Sequence, residues 1–464
     1  MSSEKELDGL REEVSARTRE IIDAIAARNA LAGKIGEAKA REGLPVEDPK
    51  VEDALARLVI RECEEKGVDV RTGLKVLSAI ISEGKRVQGV KTKHQVITPQ
   101  MMSAKARELE KAGRQLLRLD VGEPDFPPPR AVLDATSQAL YAFKTHYTAT
   151  RGIPGLVAAV RRYVERKSGF SAKESEVMIT PGGRFGVYSA LATAVSEGES
   201  VLIIEPNWPA YKEVLQFIGA RATTVHTALE DGWEPNVEAI HDAIRPNTRA
   251  MILSYPANPT GKIISPSKFK EIVKLANDHG LTIISDEIYT DYAYSTCPGI
   301  LGSGAERFIL TASFSKTWAM TGFRVGYCVS SEENISKMMR IKSLVLTSVP
   351  EFIQYGAIGA LDSDAEVSRN STAMKERIEV ACSELDSIPA LSYFRPDGAM
   401  YVFPQGRRED FDSTSFTMDL LERKGTTVTP GTGFGDYPRC FRISLGQSKE
   451  TIVQGIRNMG ELLR

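Results

Sequence analysis

The hydrophobic period of this chain changes once, and the change divides it. Up to residue 88 apolar residues recur only at helical spacings, whereas from Pro99 short β-branched runs alternate with helical stretches. Residues 4 to 42 form one helical pattern. In it Leu7, Leu10, Val14, Ile21, Ile25, Ala32 and Ile35 recur at spacings of three, four and seven, with no proline before Pro45. A helix of that length, roughly 58 Å by its rise per residue, cannot bury its stripe on itself. Two shorter helical patterns follow at about 49 to 66 and 70 to 88, parted at Gly67. Three helices so unequal predict an interlocked helical dimer.

Beyond Pro99 strand candidates fall near 116, 176, 201, 222, 250, 281, 308 and 324, separated mostly by helical stretches. That alternation predicts a largely parallel sheet covered on both faces. Long helical patterns follow residue 330, then strands near 399, 426 and 440 and a last helix from 448, as for a smaller α+β domain. Residues 85 to 98, KRVQGVKTKHQVIT, lose the apolar period and read as a helix end and a short linker. The expected division is an all-α domain at 1–90, a linker at 91–98 and an α/β part at 99–464. Within the last, a small domain from about 95–120 and 330–464 would flank a large domain of about 121–329.

At 464 residues, with 42% hydrophobic and 26% charged, the chain suits a soluble protein of two or three domains. A net charge of −2 gives no electrostatic reason to expect nucleic acid or an acidic membrane as partner. The polar N-terminus holds no apolar stretch suited to a signal or a span, so a cytoplasmic protein is expected. Cys63, Cys297, Cys328, Cys382 and Cys440 are scattered without a CxxC pair, which argues against a disulfide frame; the five histidines are scattered too, and no metal site is expected.

The stretch SFSKTWAMTGFRVGY, residues 313 to 327, sets Lys316 among hydroxyl side chains and follows it with Arg324. A lysine in a serine-rich turn is ordinarily just solvated. An amine that must attack an aldehyde has to be unprotonated, however, and a fixed cation such as Arg324 favours the neutral amine. Ser313, Ser315 and Arg324 also offer donors and one fork-shaped charge, as a phosphate requires. Upstream, LTIISDEIY at 281 to 289 reads as a strand ending in an acid, Asp286, with Tyr289 three residues on. AMILSYPANPTG at 250 to 261 is another strand, running into a turn that holds Asn258. In a pyridoxal phosphate site Asp286 would pair with the protonated pyridine nitrogen and keep the ring an electron sink, while Tyr289 and Asn258 would reach the ring hydroxyl. Singly, Asp and Asn are commonly caps and turn formers; here it is their order along the chain that counts.

That ordered set resembles the fold-type I pyridoxal phosphate enzymes, in particular the aspartate-aminotransferase-like class I/II aminotransferases, in segments from VGEPDF at 121 to FRISLG at 441. The resemblance implies Lys316 as the Schiff-base lysine, Asp286 on the pyridine nitrogen, Asn258 and Tyr289 on the phenolic oxygen, and Ser313 and Arg324 on the phosphate. The turn PGGR at 181 to 184 opens a helix and resembles the family's phosphate cradle, built from amides. Gly183 and Arg184 stand where a hydroxyl residue is common, so Gly182 and Gly183 are expected to contribute backbone, and Arg184 has no assigned role. Trp208 in EPNWPAY resembles the aromatic that stacks on the ring, with a core tryptophan as the alternative. Tyr147 in HYTATRGIPGL resembles the tyrosine that reaches the phosphate of a neighbouring subunit, implying a dimer. Arg442 in CFRISLG resembles the clamp on the substrate α-carboxylate, with Gly122 lining the same pocket. An arginine inside an apolar strand is costly unless paired, which favours a ligand there.

In the first 90 residues the informative positions are charges near the apolar stripe. Arg28 and Lys39, 11 apart, point the same way within about 20°, while Arg11 lies about 100° off, more suited to a second pocket or subunit. Cations near a buried seam either snorkel out or hold an anion. Residues 4 to 90 resemble the all-helical chorismate mutases through LREEV at 10, AARNALAGKIGEAKA at 26, LPVEDPKVED at 44 and the helix closing with Gln88. That rearrangement needs no nucleophile, metal or cofactor, so catalysis is electrostatic positioning. By resemblance Arg11 of a partner subunit and Arg28 hold two carboxylates, Lys39 and Gln88 donate to the ether oxygen, Glu52 takes the ring hydroxyl and Asp48 helps to fix the pocket. The chain departs from the family at Val51, where an arginine is common, and at Gly84, where a serine is.

The expected whole is a homodimeric enzyme of aromatic amino acid synthesis: chorismate to prephenate, then transamination of prephenate or an aromatic keto acid with glutamate or aspartate. The alternative is a general aminotransferase whose helices only dimerise or sense a ligand, at the extreme a transcriptional regulator. Residues 1 to 90 hold 16 Lys/Arg against 18 Asp/Glu, without a basic face for DNA. Lyases and decarboxylases on this fold share the same lysine and aspartate, because the cofactor supplies the sink and the protein decides which bond breaks.

Overall fold

The computed structural model describes residues 2–42, 49–88 and 99–464, and they form two compact units that meet in sequence at Gln95 and Val96. The expected linker at 91–98 and Asp48 lie outside the described residues.

In the first unit α1 (Ser2–Glu42), α2 (Pro49–Lys66) and α3 (Val70–Val87) take the predicted lengths. Leu74, Leu77 and Ile81 of α3 make its core, packed by Leu55, Val59 and Ile60 of α2. Among the described residues of α1 only Ala32 and Gly36 are buried. Leu7, Leu10, Val14, Ile21, Leu31 and Ile35 stay 48–66% exposed, so apart from Ala32 most of the stripe of the long helix has no cover from the described residues of its own unit. Close approach to α3 depends on glycine: a Cβ on Gly36 would come within 2.9 Å of the Gln88 backbone.

The second unit opens with α4 (Pro99–Lys111), which buries Met102 and Ala106, and β1 (Leu117–Arg118), which pairs in parallel with Thr426–Thr427. Next come α5 (Arg130–Tyr141), α6 (Pro154–Ser168) and β2 (Val177–Thr180). They are followed by α7 (Gly183–Ala194), β3 (Ser200–Glu205), α8 (Ala210–Phe217) and β4 (Arg221–His226). The remaining strands of the large sheet are β5 (Thr248–Ser254), β6 (Thr282–Asp286), β7 (Phe308–Ser313) and β8 (Gly326–Ser330). The order of the seven is β2-β8-β7-β6-β5-β3-β4. Alternate residues enter separate cores, Ile179, Leu202, Met251 and Ile283 on one face against Met178, Ile203, Ile252 and Ile284 on the other. Both faces are thus covered, as a βα alternation requires.

One strand departs from the parallel rule: β8 runs antiparallel to β2 and β7. The segment joining β7 to β8 is a compact turn, a short helix at Phe314–Thr317 and a 3₁₀ turn at Thr321–Phe323, and not a crossover helix that would carry the chain back across the sheet. A third core joins Leu119 to Met374, Ile378, Leu420, Ile443 and Ile452, beside short strands that include Tyr401–Val402 and Phe441–Ser444.

Candidate active site

The carboxyl ends of the parallel strands deliver the polar residues of the second unit to one place. β6 ends on Asp286, β5 ends beside it on Ser254, β7 ends on Ser313 and runs straight into the turn of Lys316, and β2 leads into the turn before α7. The result is a cavity of about 430 Å³ lined by Gly122, Gly183, Arg184, Trp208, Asn258, Asp286, Tyr289, Ser313, Lys316, Arg324 and Arg442. Gly182 backs it, and Tyr147 does not reach it, standing 88% exposed. Sequence reasoning left out Tyr211, Tyr401, Asp120, Glu123 and, from α4, Ser103 and Arg107, which line it too.

Lys316 is partly buried and its Nζ donates to the Gly122 carbonyl. Its pKa falls to about 8, chiefly because burial disfavours the ammonium; Glu123 opposes the shift, and Arg442 and Arg324 add to it. The cation effect expected of Arg324 is therefore present but smaller than desolvation. Asp286 is 7% exposed. Burial lifts its carboxyl to about 6 despite hydrogen bonds from the Tyr211 hydroxyl, at 2.7 Å, and the Ile288 amide.

Arg324 has left-handed backbone, φ 56°, and its guanidinium lies over Gly182. Gly182 itself has φ 80°, which favours glycine, and a Cβ there would stand 2.6 Å from Arg324 Nη2 and displace the guanidinium. The Ser313 hydroxyl contacts Ser315 Oγ at 2.9 Å and accepts from the Ser315 amide at 3.1 Å. Across the cavity the Trp208 ring packs edge-on against Tyr211, 5.4 Å between centroids, and carries the Arg184 guanidinium 4.7 Å above it. Trp208 thus both lines the cavity and packs on a core.

Arg442 is 4% exposed. It donates to the Asp120 carbonyl at 2.6 Å and to Asn258 Oδ1 at 3.0 Å, and lies between the rings of Tyr401 and Phe434 at 4.5 and 5.0 Å. Its buried Nε has no partner among the described residues. Asn258 is therefore engaged with Arg442 through its oxygen, and Tyr289 with Tyr401, hydroxyl to hydroxyl at 2.6 Å. A Cβ on Gly122 would run into the same Tyr401 hydroxyl.

In the helical unit Arg28, Lys39, Glu52 and Gln88 are each partly buried. Arg28 donates to the Ile80 carbonyl at 3.1 Å, and Gln88 Oε1 is buried without a partner among the described residues. Arg11 is exposed and pairs with Asp8 of its own helix at 3.1 Å. Val51 is 53% exposed. A Cβ on Gly84 would lie 3.2 Å from Arg28 Nη1, so the missing hydroxyl belongs beside that guanidinium.

Residues 114–458 match the aminotransferase class I and II family, and residues 10–89 match chorismate mutase type II. The chain belongs to the class I and II aminotransferases and carries a chorismate mutase domain ahead of that part, a transferase fused to a mutase. Among its relatives are an aspartate aminotransferase of Pyrococcus horikoshii, 32% identical over 78% of this chain and 94% of the relative, and an aspartate/prephenate aminotransferase of Thermus thermophilus, 31% identical over 82% and 98%. The solved structure of Thermus thermophilus aspartate aminotransferase with maleate superposes with a TM-score of 0.76 at 30% identity, covering 80% of this chain and 97% of that one. The cofactor of this family is pyridoxal 5'-phosphate, and the donor set fits it. The cavity offers an amine of lowered pKa, a buried carboxylate, a glycine cradle under Arg324, and in Arg324 and Arg442 guanidinium groups with no acidic partner among the described residues. No helix among the described residues is long and apolar enough to cross a membrane.

Proposed function

We propose that this chain performs two steps of aromatic amino acid synthesis, rearranging chorismate to prephenate in its helical unit and aminating prephenate to arogenate in its aminotransferase unit. The observation that carries the proposal is the fusion itself. A chorismate mutase type II domain makes prephenate, and it precedes an aminotransferase whose relatives include enzymes named for aspartate and prephenate. Glutamate or aspartate is the amino donor in this reading, and an aromatic keto acid is the competing acceptor.

When bound, pyridoxal phosphate supplies the electron sink. The protein then has to hold and orient. Asp286 takes the pyridine nitrogen, Asn258 and Tyr289 the ring hydroxyl, and Trp208 the ring face. Arg324, Ser313 and the amide at Gly183 take the phosphate, the Gly182 amide being engaged with the Thr180 carbonyl at 2.8 Å. Arg442, which has unused donors and no acidic partner among the described residues, takes the α-carboxylate in bidentate fashion. Lys316 Nζ, with its pKa near 8, can both release and take a proton close to neutral pH. Gly122 receives Lys316 at its carbonyl and lines the carboxylate pocket.

Tyr147 is read as serving the neighbouring subunit. Exposed apolar side chains beside it favour a second copy there: Tyr141, Phe143 and Leu344 are 79–88% exposed, and the Thr148 amide bonds Ser348 Oγ, which joins the two segments. The bare stripe of α1 argues likewise for a helical dimer, with Arg11 entering the partner's pocket. Arg28 and Arg11 hold the substrate's carboxylates, Lys39 and Gln88 stabilise the charge gathering on the ether oxygen, and Glu52 and Asp48 complete the pocket. Val51 and Gly84 favour a second reading, in which the helices bind an aromatic-pathway ligand without turning it over.

The test is mass spectrometry of products from purified protein given chorismate, pyridoxal phosphate and glutamate, then aspartate. Arogenate is expected. Prephenate alone would move the aminotransferase to another keto acid, and unchanged chorismate would favour the sensing role.

A further inference from the structure

Among the described residues no cation stands beside Asp286. Its carboxylate is buried, and its donors are the Tyr211 hydroxyl and the Ile288 amide. The other titratable groups facing it are the Cys328 thiol, Glu287 and Tyr289, which are neutral or of like charge. Glu287 is itself engaged with the Ser285 hydroxyl and the Ile300 amide. An isolated buried carboxylate tends to take up a proton, and here burial does lift its pKa. A protonated Asp286 could not offset the charge of a protonated ring nitrogen. Something must hold it ionised until that nitrogen arrives.

Tyr211 is built to do so. It is 1% exposed, and burial pushes the pKa of its phenol well above the ordinary value, so its proton is permanently available for donation. Behind it the Ser254 hydroxyl bonds the phenol oxygen and eases that rise. The donors therefore run in one direction, from Ser254 to Tyr211 to Asp286, and aligned donors of this kind polarise one another. The fold sets all three. Ser254 and Asp286 are register partners at the ends of adjacent parallel strands, and Tyr211 comes from α8, with its ring fixed edge-on against Trp208.

We propose that Tyr211, backed by Ser254, is a positioning residue that keeps Asp286 an oriented carboxylate for the protonated nitrogen of the cofactor ring. The inference rests on the pyridoxal reading of the cavity. A tyrosine that only filled space would bond the nearest acceptor too, but its loss would weaken the site whatever stood at position 286.

The experiment uses the full chain stripped of cofactor. Pyridoxal phosphate is titrated back while tryptophan fluorescence and bound-cofactor absorbance are followed, and the NMR shift of the labelled ring nitrogen is recorded. Tyr211→Phe, which removes only the hydroxyl, should weaken binding by about tenfold, the worth of one charge-assisted hydrogen bond, and move the nitrogen signal toward its unprotonated position. In an Asp286→Asn background the same change should cost less than about threefold, because no carboxylate remains to be held. Ser254→Ala should act in the same direction as Tyr211→Phe but more weakly, and it tests the chain if Tyr211→Phe does not fold. An equal loss in both backgrounds, or an unmoved nitrogen signal, overturns the proposal and leaves Tyr211 as packing. Absence of bound-cofactor absorbance in the unaltered protein is a different failure: it overturns the cavity reading, and the inference falls with it.

Discussion

Arg442→Lys keeps a positive charge at the strand position and removes the fork. In the native chain two guanidinium nitrogens are committed, to the Asp120 carbonyl at 2.6 Å and to Asn258 at 3.0 Å, while Nε is buried and unpartnered among the described residues. The planar group fits between Tyr401 and Phe434 as an ammonium cannot. A lysine would satisfy those acceptors or the substrate carboxylate, but not both. Losing one charge-assisted hydrogen bond to the substrate costs about 1.5–3 kcal/mol, so kcat/KM for the amino donor should fall by roughly tenfold to 150-fold. Because the carboxylate is held before and during the reaction alike, most of the loss should appear in KM. Single-turnover rates with glutamate and with the amine left after removal of its α-carboxylate separate the causes. Only the amino acid should respond to the substitution. Equal losses for both donors, or a change below threefold for glutamate, would refute the clamp.

Lys316→Ala should abolish transamination and the bound-cofactor absorbance while leaving chorismate turnover within about twofold; surviving absorbance would refute the lysine assignment. Lys316 with a pKa near 8 is increasingly neutral as pH rises through that value, so the rate of cofactor capture, followed by stopped-flow absorbance, should climb with a midpoint near pH 8. Glu123 opposes the depression, and Glu123→Gln should move that midpoint to lower pH; a move upward would contradict the charge assignment. Asp286 has a folded pKa of about 6 against an ordinary 3.8, so the cofactor-free fold binds more protons between those values and loses stability as pH rises through them. Urea unfolding at pH 4.5 and 7.5 should show the unaltered protein losing about 2 kcal/mol more than Asp286→Asn over that interval, and parallel losses would refute it. Arg28→Ala should cut chorismate turnover by a hundredfold or more with transamination nearly unchanged, and loss of both activities would point to collapse instead.

Much of the site is legible in the residues. In LTIISDEIY a β-branched run closes on an acid, the pattern of a parallel strand whose carboxyl end meets a ligand, and β6 does end on Asp286. The stripe from Leu7 to Ile35 announces that α1 will lack cover within its own unit, and all of its large residues but Ile25 stay exposed. What stays hidden needs distance or depth. Tyr211 and Tyr401 sit in the first turn of a helix and in an apolar strand, where a tyrosine reads as core, and only the fold shows their hydroxyls against Asp286 and Tyr289. Ser103 and Arg107 look like the solvent face of α4 until the strand ends come beneath them. The low pKa of Lys316 is traceable in sequence to a neighbouring charge, yet its main cause, burial, has no sequence signature. The reversal of β8 is hidden for a related reason: periodicity marks a strand and leaves its direction to the connection before it.

The two units share one electrostatic device, and it works without help from the overall field. The chain is at −2, and residues 1 to 90 alone account for that, so neither half draws anions from a distance. Each instead holds an arginine with no acidic partner among the described residues. Arg28 is bound to a backbone carbonyl, and Arg442 to a carbonyl and an amide oxygen. A guanidinium kept from water on neutral acceptors retains its full charge for the next ligand, and the nearer it is to being desolvated the more a carboxylate gains by meeting it. What the two units have in common is then an arginine held by neutral groups too weak to neutralise it, Arg28 in one and Arg442 in the other.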